Sequence, residues 1–282
     1  MSGPARSLLD HEGSAAVSAE PQRSPARLGR LERPALAGVL VREVINFSSY
    51  WRATTFSATV EPTIYLLAFG FGFGSLVATV GGYPYVEFVG TGTVATAVLF
   101  SSAFPGMFST LIKSQFQHTY DAILAAPVDT EELVTAEALW IAIRAGTYGC
   151  TPMLVAMLFG LDPSFGMLVV PLIGFVAGFG WANFGITIAA YLKTFENFNY
   201  VISAVITPLF LTAGTFFPLD RLPGWAQALA QLNPLHHCVE LVRHAVFGFE
   251  GTIDVVRLGV LLVFGFVMWR LAIRGMTKRL VT

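Results

Sequence analysis

Stretches without a single Asp, Glu, Lys or Arg dominate this sequence: Pro62 to Val86, Phe88 to Ile112, Pro163 to Leu192 and Asn197 to Leu219. The hydrocarbon core of a bilayer is about 30 Å thick and is crossed by roughly 20 apolar residues in helix. Each stretch is long enough to cross it. Ala138 to Leu161 qualifies as well, interrupted only by Arg144, and Ile253 to Ile273 carries Asp254, Arg257 and Arg270 near its ends. The pattern predicts spans at 54–78, 88–110, 137–160, 167–191, 199–217 and 254–273. That is an all-α integral membrane protein with six transmembrane helices.

Composition removes the competing classes. Of 282 residues 54% are apolar and 12% charged, with a mean hydropathy of +0.64, whereas an average soluble domain is about 25% charged. Lys and Arg number 17 against 18 Asp and Glu, which leaves no basic field for phosphates and excludes a nucleic-acid partner. Cys150 and Cys238 lack CxxC spacing, so neither a disulfide framework nor a zinc ribbon is indicated.

An even number of spans places both termini on one side. With the N-terminus inside, the outer face receives only Arg221, Arg243 and Arg257, while Arg42, Arg52, Lys113, Lys193, Arg270, Arg274, Lys278 and Arg279 fall inside together with the arginines of the tail. The positive-inside rule therefore predicts a plasma (inner) membrane protein with cytoplasmic termini. Residues 1–33 are rich in Ser, Ala, Pro and Arg and have no apolar core, which reads as a disordered tail rather than a signal peptide. Residues 34–53 follow as an amphipathic helix, with Leu36, Leu40, Val44, Phe47 and Trp51 on one stripe and Arg42, Asn46 and Ser49 opposite. It is expected to lie in the membrane interface, the alternative being a short soluble helix. The six-span domain occupies residues 54–282.

The chemistry is sparse. Every lysine, Lys113, Lys193 and Lys278, lacks the preceding glycine of a phosphate-binding loop, so the chain itself binds no ATP, and no other cofactor or metal is expected. The run Gly70 to Gly74 lies within an uncharged segment and reads, like Gly174, Gly178 and Ala182, as a face for close helix packing. His237, Glu240 and His244 share a helix face, yet two turns separate the histidines by about 10.5 Å, too far for one zinc ion. Glu61, Glu137 and Arg144 are intramembrane charges, costly unless paired or facing water; they fit a structural ion pair better than a proton relay.

Two connections stand out. The loop at 111–134 is expected to hold a short helix from Ser114 to Ala125, presenting Phe116, Tyr120, Asp121, Ile123 and Leu124 to a protein partner or to the bilayer surface, with Pro127 ending it and Asp129 with Glu132 forming a capping box for the next helix. The segment 218–251 carries Asp220, Arg221, Glu240, Arg243 and Glu250 alongside Leu222, Trp225, Ala226, Leu229 and Leu232. It is too charged to cross lipid and too apolar for a free loop. A re-entrant pair of helices broken at Asn233-Pro234 satisfies both constraints.

This order of parts resembles the membrane subunit of a type 2 ABC exporter, the permease family that includes daunorubicin-export and nodulation lipo-oligosaccharide-export subunits. The stretch TPLFLTAGTFFPLDRLPGWAQALAQLNPLHHCVELVRHAVFG is similar to that family's fifth span and outer segment, and LAAPVDTEELV to its coupling region. The resemblance covers the chain from about residue 35 onward. It implies a second permease subunit, identical or related, facing the first in membrane lipid, and separate ATPase subunits that use ATP and Mg and push on the coupling helix. It also implies outward movement of an amphipathic drug, lipid or lipid-linked saccharide. The competing class is a free-standing secondary transporter or integral membrane enzyme.

Overall fold

The structure, a computed structural model, describes residues 33–74, 76–77, 79–219 and 223–281; for Arg33, Glu61, Pro62, Gly70, Phe71 and Val281 it describes the backbone only. The tail expected to be disordered, and Asp220, Arg221 and Leu222, lie outside the described residues, as does the Glu61 side chain.

A chain with apolar side chains on all sides of its helices satisfies its backbone within each helix, since lipid offers no hydrogen-bond partner. Among the described residues, four helices are long and apolar enough to cross a membrane: Tyr85–Phe116, Thr130–Leu158, Phe165–Tyr191 and Gly251–Leu280. They are built from α3 (Tyr85–Leu111) with a π-helical end at Ile112–Phe116, α5 (Thr130–Tyr148) followed by α6 (Thr151–Leu158), α7 (Val170–Tyr191) entered through a 3-10 turn at Phe165–Val169, and α12 (Gly251–Val281). The remaining two predicted spans are more broken. One is α2 (Trp51–Leu67) with a π-helical turn at Ala68–Phe73; the other is α8 (Phe195–Val201), a π turn at Ile202–Ile206 and α9 (Thr207–Leu211).

Both broken segments run along α3. Leu66 of α2 is buried in its core cluster with Val89, while Phe195 at the start of α8 stacks on Phe108 and Phe210 of α9 lies 5.6 Å from Phe100. At the centre α3, α5 and α7 meet through small residues. A Cβ on Gly106 would lie 2.5 Å from the Ala182 carbonyl, and Gly174 faces Gly146, so these backbones touch. Trp181 fills the gap between α7 and Phe264 of α12.

The N-terminal helix α1 (Arg33–Phe47) ends before Trp51, which opens α2 after a turn. Its inner face is Leu36, Val39, Leu40, Glu43 and Phe47, while Val44 and Trp51 are exposed. The expected stripe is thus rotated, because α1 packs against α5 rather than lying free. A short hairpin, β1 (Thr79–Val80) with β2 (Tyr83–Pro84), precedes α3. At the same end α10 (Gly224–Gln231) and α11 (Pro234–Phe247) are separated at Asn233, whose side chain accepts from the Leu235 amide and donates to the Leu209 carbonyl. This cap ties the break to the end of α9.

Candidate functional site

At the α1 end of the bundle, Lys113 on α3's extension joins three helices. Its ammonium donates to Glu137 of α5 at 2.7 and 2.8 Å and to Glu43 of α1 at 2.9 Å. Arg42 approaches the other Glu43 oxygen at 2.7 Å. Both carboxylates are 2% exposed, and each is tolerated only because it is paired and hydrogen-bonded. Glu137 is expected in a structural pair, and its partner is Lys113, which it shares with Glu43. Arg144 takes a different course: its guanidinium lies 5.1 Å from the Phe47 ring and 6.0 Å from that of Tyr50, a cation–π arrangement rather than an ion pair.

Just beyond this cluster lies the connection between α3 and α5. The expected helix from Ser114 to Ala125 is divided: Phe116 belongs to the end of α3, His118 adopts a left-handed backbone with φ 50°, and α4 (Thr119–Leu124) starts there. Left-handed backbone is uncommon outside glycine but tolerated by His. The turn separates the expected docking residues. Phe116 is 63% exposed and stacks on Phe195 with ring centroids 5.5 Å apart. Asp121 is exposed and 3.0 Å from His118 Nδ1. Leu124 is half-buried and Tyr120 only 2% exposed, packed with Val39, Leu133 and Val134. Tyr120 is therefore an internal anchor of α4, and burial pushes its phenol well above its ordinary pKa. The exposed positions of α4 and of the turn after it are instead Asp121, Ala122, Ala125 and Ala126. The capping box forms, with Glu132 accepting from the Asp129 amide at 2.9 Å.

Between α2, α3 and α9 runs a cavity of about 460 Å³. Phe100, Phe210, Phe216 and Tyr65 supply aromatic walls, and Thr54, Ser57, Thr93, Thr96 and Ser101 supply hydroxyls. Several hydroxyls already have partners: Thr93 donates to the Gly90 carbonyl, and Thr96 shares a hydrogen bond with Thr215 at 3.3 Å. A wall of rings with scattered, locally satisfied hydroxyls accepts amphipathic molecules without demanding a charge. These residues were not singled out in the sequence. The available signal was the recurrence of Ser and Thr on one face of α3 and on α2, which no single helix identifies as a cavity wall.

At the opposite end, Arg243 is buried. It donates to Gly214 O at 2.7 Å and to Glu240 at 3.0 Å, and its guanidinium lies 3.6 Å from the Phe88 ring centroid. Arg243 thus clamps α11 to α3 and to the segment after α9. Glu240 also meets Arg257 of α12 at 3.3 Å. His244 Nδ1 lies 2.5 Å from Asp254, while His237 Nε2 faces the Gln231 carbonyl. The two histidines are therefore engaged separately, and among the described residues no group of three or more His, Cys, Asp or Glu is arranged to hold a metal ion. Trp225 is 70% exposed with Leu229 and Leu232, whereas Ala226 and Ala230 face inward. Pro234 occupies the first turn of α11, where its missing N–H costs nothing.

Residues 35–247 match the family model described as ABC-2 type transporter. The chain belongs to the ABC-2 type transporter family. This ABC-2 chain is similar to Nodulation protein J of Sinorhizobium fredii, with 29% identity over 87% of the chain and 98% of that protein. Nodulation protein J of Rhizobium meliloti is 31% identical over 67% of the chain and 72% of its own length. The inner membrane transport permease YadH of Escherichia coli is 25% identical over 86% and 95% respectively. The long apolar helices and these relatives make the ABC-2 chain a membrane-embedded transport permease.

Proposed function

We propose that this permease is half of the membrane unit of an ATP-driven exporter, with a second copy or a related subunit facing it across the α2 and α9 side. In this reading the chain crosses the bilayer six times, counting the broken segments α2 and α8–α9, and both termini are cytoplasmic. The re-entrant pair α10–α11 lies on the outer face. Separate ATPase subunits, using ATP and Mg, engage α4 and Phe116. Cargo is an amphipathic drug, lipid or lipid-linked saccharide moving along the cavity between α2, α3 and α9.

The observation that carries this reading is the linkage at Lys113. The α4 connection is anchored inward by Tyr120 and joined through a buried ionic cluster to α1, α3 and α5, so a push on α4 is delivered to spans rather than absorbed by a loose loop. The cavity opens between spans tied to the same framework.

Proteoliposomes containing the permease test the proposal. With a cognate ATPase added, ATP should drive outward movement of a fluorescent amphiphile, and the permease alone should hydrolyse no ATP. Transport that follows an imposed proton gradient without any ATPase would instead establish the secondary-transporter class.

A further inference from the structure

A groove of about 350 Å³ runs between α5, α7 and α12, and it shares no lining residue with the transport path proposed above. Its sides are Leu139, Phe175, Val176, Phe179, Leu262 and Phe266. Gly265 also lines it and is buried; a Cβ there would lie 3.6 Å from the Phe179 ring, so the missing side chain deepens the groove. The polar groups of the lining are already engaged. Thr135 Oγ1 accepts from Trp269 Nε1 at 2.9 Å and donates to the Glu131 carbonyl. A ligand inside therefore meets only apolar contacts, and a polar one would lose its water without replacement.

The end of the groove at Trp269 is different. From Leu261 to Trp269 helix α12 rises about 12 Å, most of the roughly 15 Å of hydrocarbon in one leaflet, and tryptophan favours the depth of lipid headgroups. Beyond Trp269 charge begins. The Arg270 guanidinium lies 5.8 Å from the Trp269 ring centroid, and Arg274 follows one turn later. Leu262, Phe266, Arg270 and Arg274 recur every four residues, so one stripe of α12 leads from the groove to both cations. Both arginines are exposed, and among the described residues neither pairs with an Asp or Glu. Of the acids in the first turn of α5, Glu132 serves the Asp129 amide and Glu131 pairs with neither arginine. A slot of acyl length ending at two free guanidinium groups complements a lipid phosphate, which guanidinium binds in bidentate fashion.

We infer that the groove holds an acyl chain of one anionic phospholipid, with its phosphate on Arg270 and Arg274, as a bound lipid distinct from cargo. The exporter reading supplies the leaflet and leaves the α12 face to lipid rather than to a second copy; the binding chemistry stands apart from it.

Native mass spectrometry of the full chain in a neutral detergent, without any ATPase, tests the site with dioleoyl phosphatidylglycerol and dioleoyl phosphatidylcholine as probes. A cation beside an anionic headgroup is worth about fivefold in affinity, so phosphatidylglycerol should be retained about tenfold or more in preference. The Arg270→Gln, Arg274→Gln double variant should lose that preference at unchanged thermal midpoint. Leu262→Trp, which fills the groove and leaves the charges, should weaken retention of both lipids. Lys193→Gln, an exposed cation off the groove, should change nothing, and glycerol 3-phosphate, which has no chain, should not compete. Equal retention of the two lipids, a preference that survives the double variant or is lost equally in Lys193→Gln, full retention by Leu262→Trp, or competition by glycerol 3-phosphate overturns the site. Any of these beside intact ATP-driven export strikes the site and spares the exporter reading. Disulfide formation between Leu262→Cys chains lacking Cys150 and Cys238 would give this face to a second copy, overturning both the site and the placing of that copy at α2 and α9.

Discussion

Lys113 and Glu137, 24 residues apart in the chain, close a 2.7 Å ion pair between α3 and α5, and Glu43 of α1 completes it from the other side at 2.9 Å. An ammonium has three hydrogens to donate, and this one serves two carboxylates on two other helices.

Replacing Lys113 by Met should therefore be the most damaging change at this end. It leaves Glu43 and Glu137 buried and facing each other, and losing one member of a buried pair costs about 3–5 kcal/mol. The thermal midpoint of the detergent-solubilised protein should fall sharply. Adding Glu137→Gln and Glu43→Gln should recover most of the loss, since neutral residues then replace an uncompensated charge. A Lys113→Met chain with wild-type stability would show that the cluster holds nothing together.

Phe116 and Tyr120 should separate cleanly. Exposed Phe116 changed to Ala should leave folding within about 0.5 kcal/mol yet weaken ATPase binding by about 2 kcal/mol, roughly thirtyfold, if it anchors that interface. Buried Tyr120 changed to Ala should cost about 3–5 kcal/mol of stability, as for other large aromatic truncations in cores. Thermal unfolding beside co-purification of the ATPase reads both. Loss of ATPase binding in neither variant would remove α4 and its surroundings from the interface.

Glycine replacements probe the close approach of α3 and α7. Alanine at Gly185 would drive its Cβ into the Ala103 carbonyl and the Gly106 backbone, and backbone cannot yield as a side chain can. The yield of folded protein should drop. Gly259→Ala on α12 meets nothing within 4 Å, so its effect should stay within about 1 kcal/mol. Similar behaviour of the two variants, judged by size-exclusion profile after heating, would contradict the packing described.

Topology is tested by single cysteines in a background with Cys150 and Cys238 removed. Trp225→Cys and Glu250→Cys should both react with an impermeant thiol reagent applied outside, and Asp121→Cys only after permeabilisation. Labelling of Trp225→Cys and Glu250→Cys from opposite sides would make the α10–α11 segment a crossing and move the C-terminus outside.

Several local features can be read from the residues alone. The Asp129 and Glu132 capping box and the break at Asn233-Pro234 stand where the pattern places them, because each depends on neighbours within a few positions. The long apolar helices follow from runs of uncharged residues in the same way. The residues alone place Phe116 and Tyr120 on one exposed helix, because nothing local announces the left-handed turn at His118 that divides it.

Partnership across the chain is another matter. The periodicity of α1 points to a stripe through Val44, yet Glu43 faces inward because Lys113, 70 residues away, awaits it. Arg144 meets the rings of Phe47 and Tyr50 instead of an acid, and Arg243 turns from an outer-face charge into a buried clamp on Gly214. Helical period and charge counts describe each segment against lipid and water. Which face meets which, and so where cavities open between α2, α3 and α9, depends on contacts between distant residues that only the packed bundle brings together.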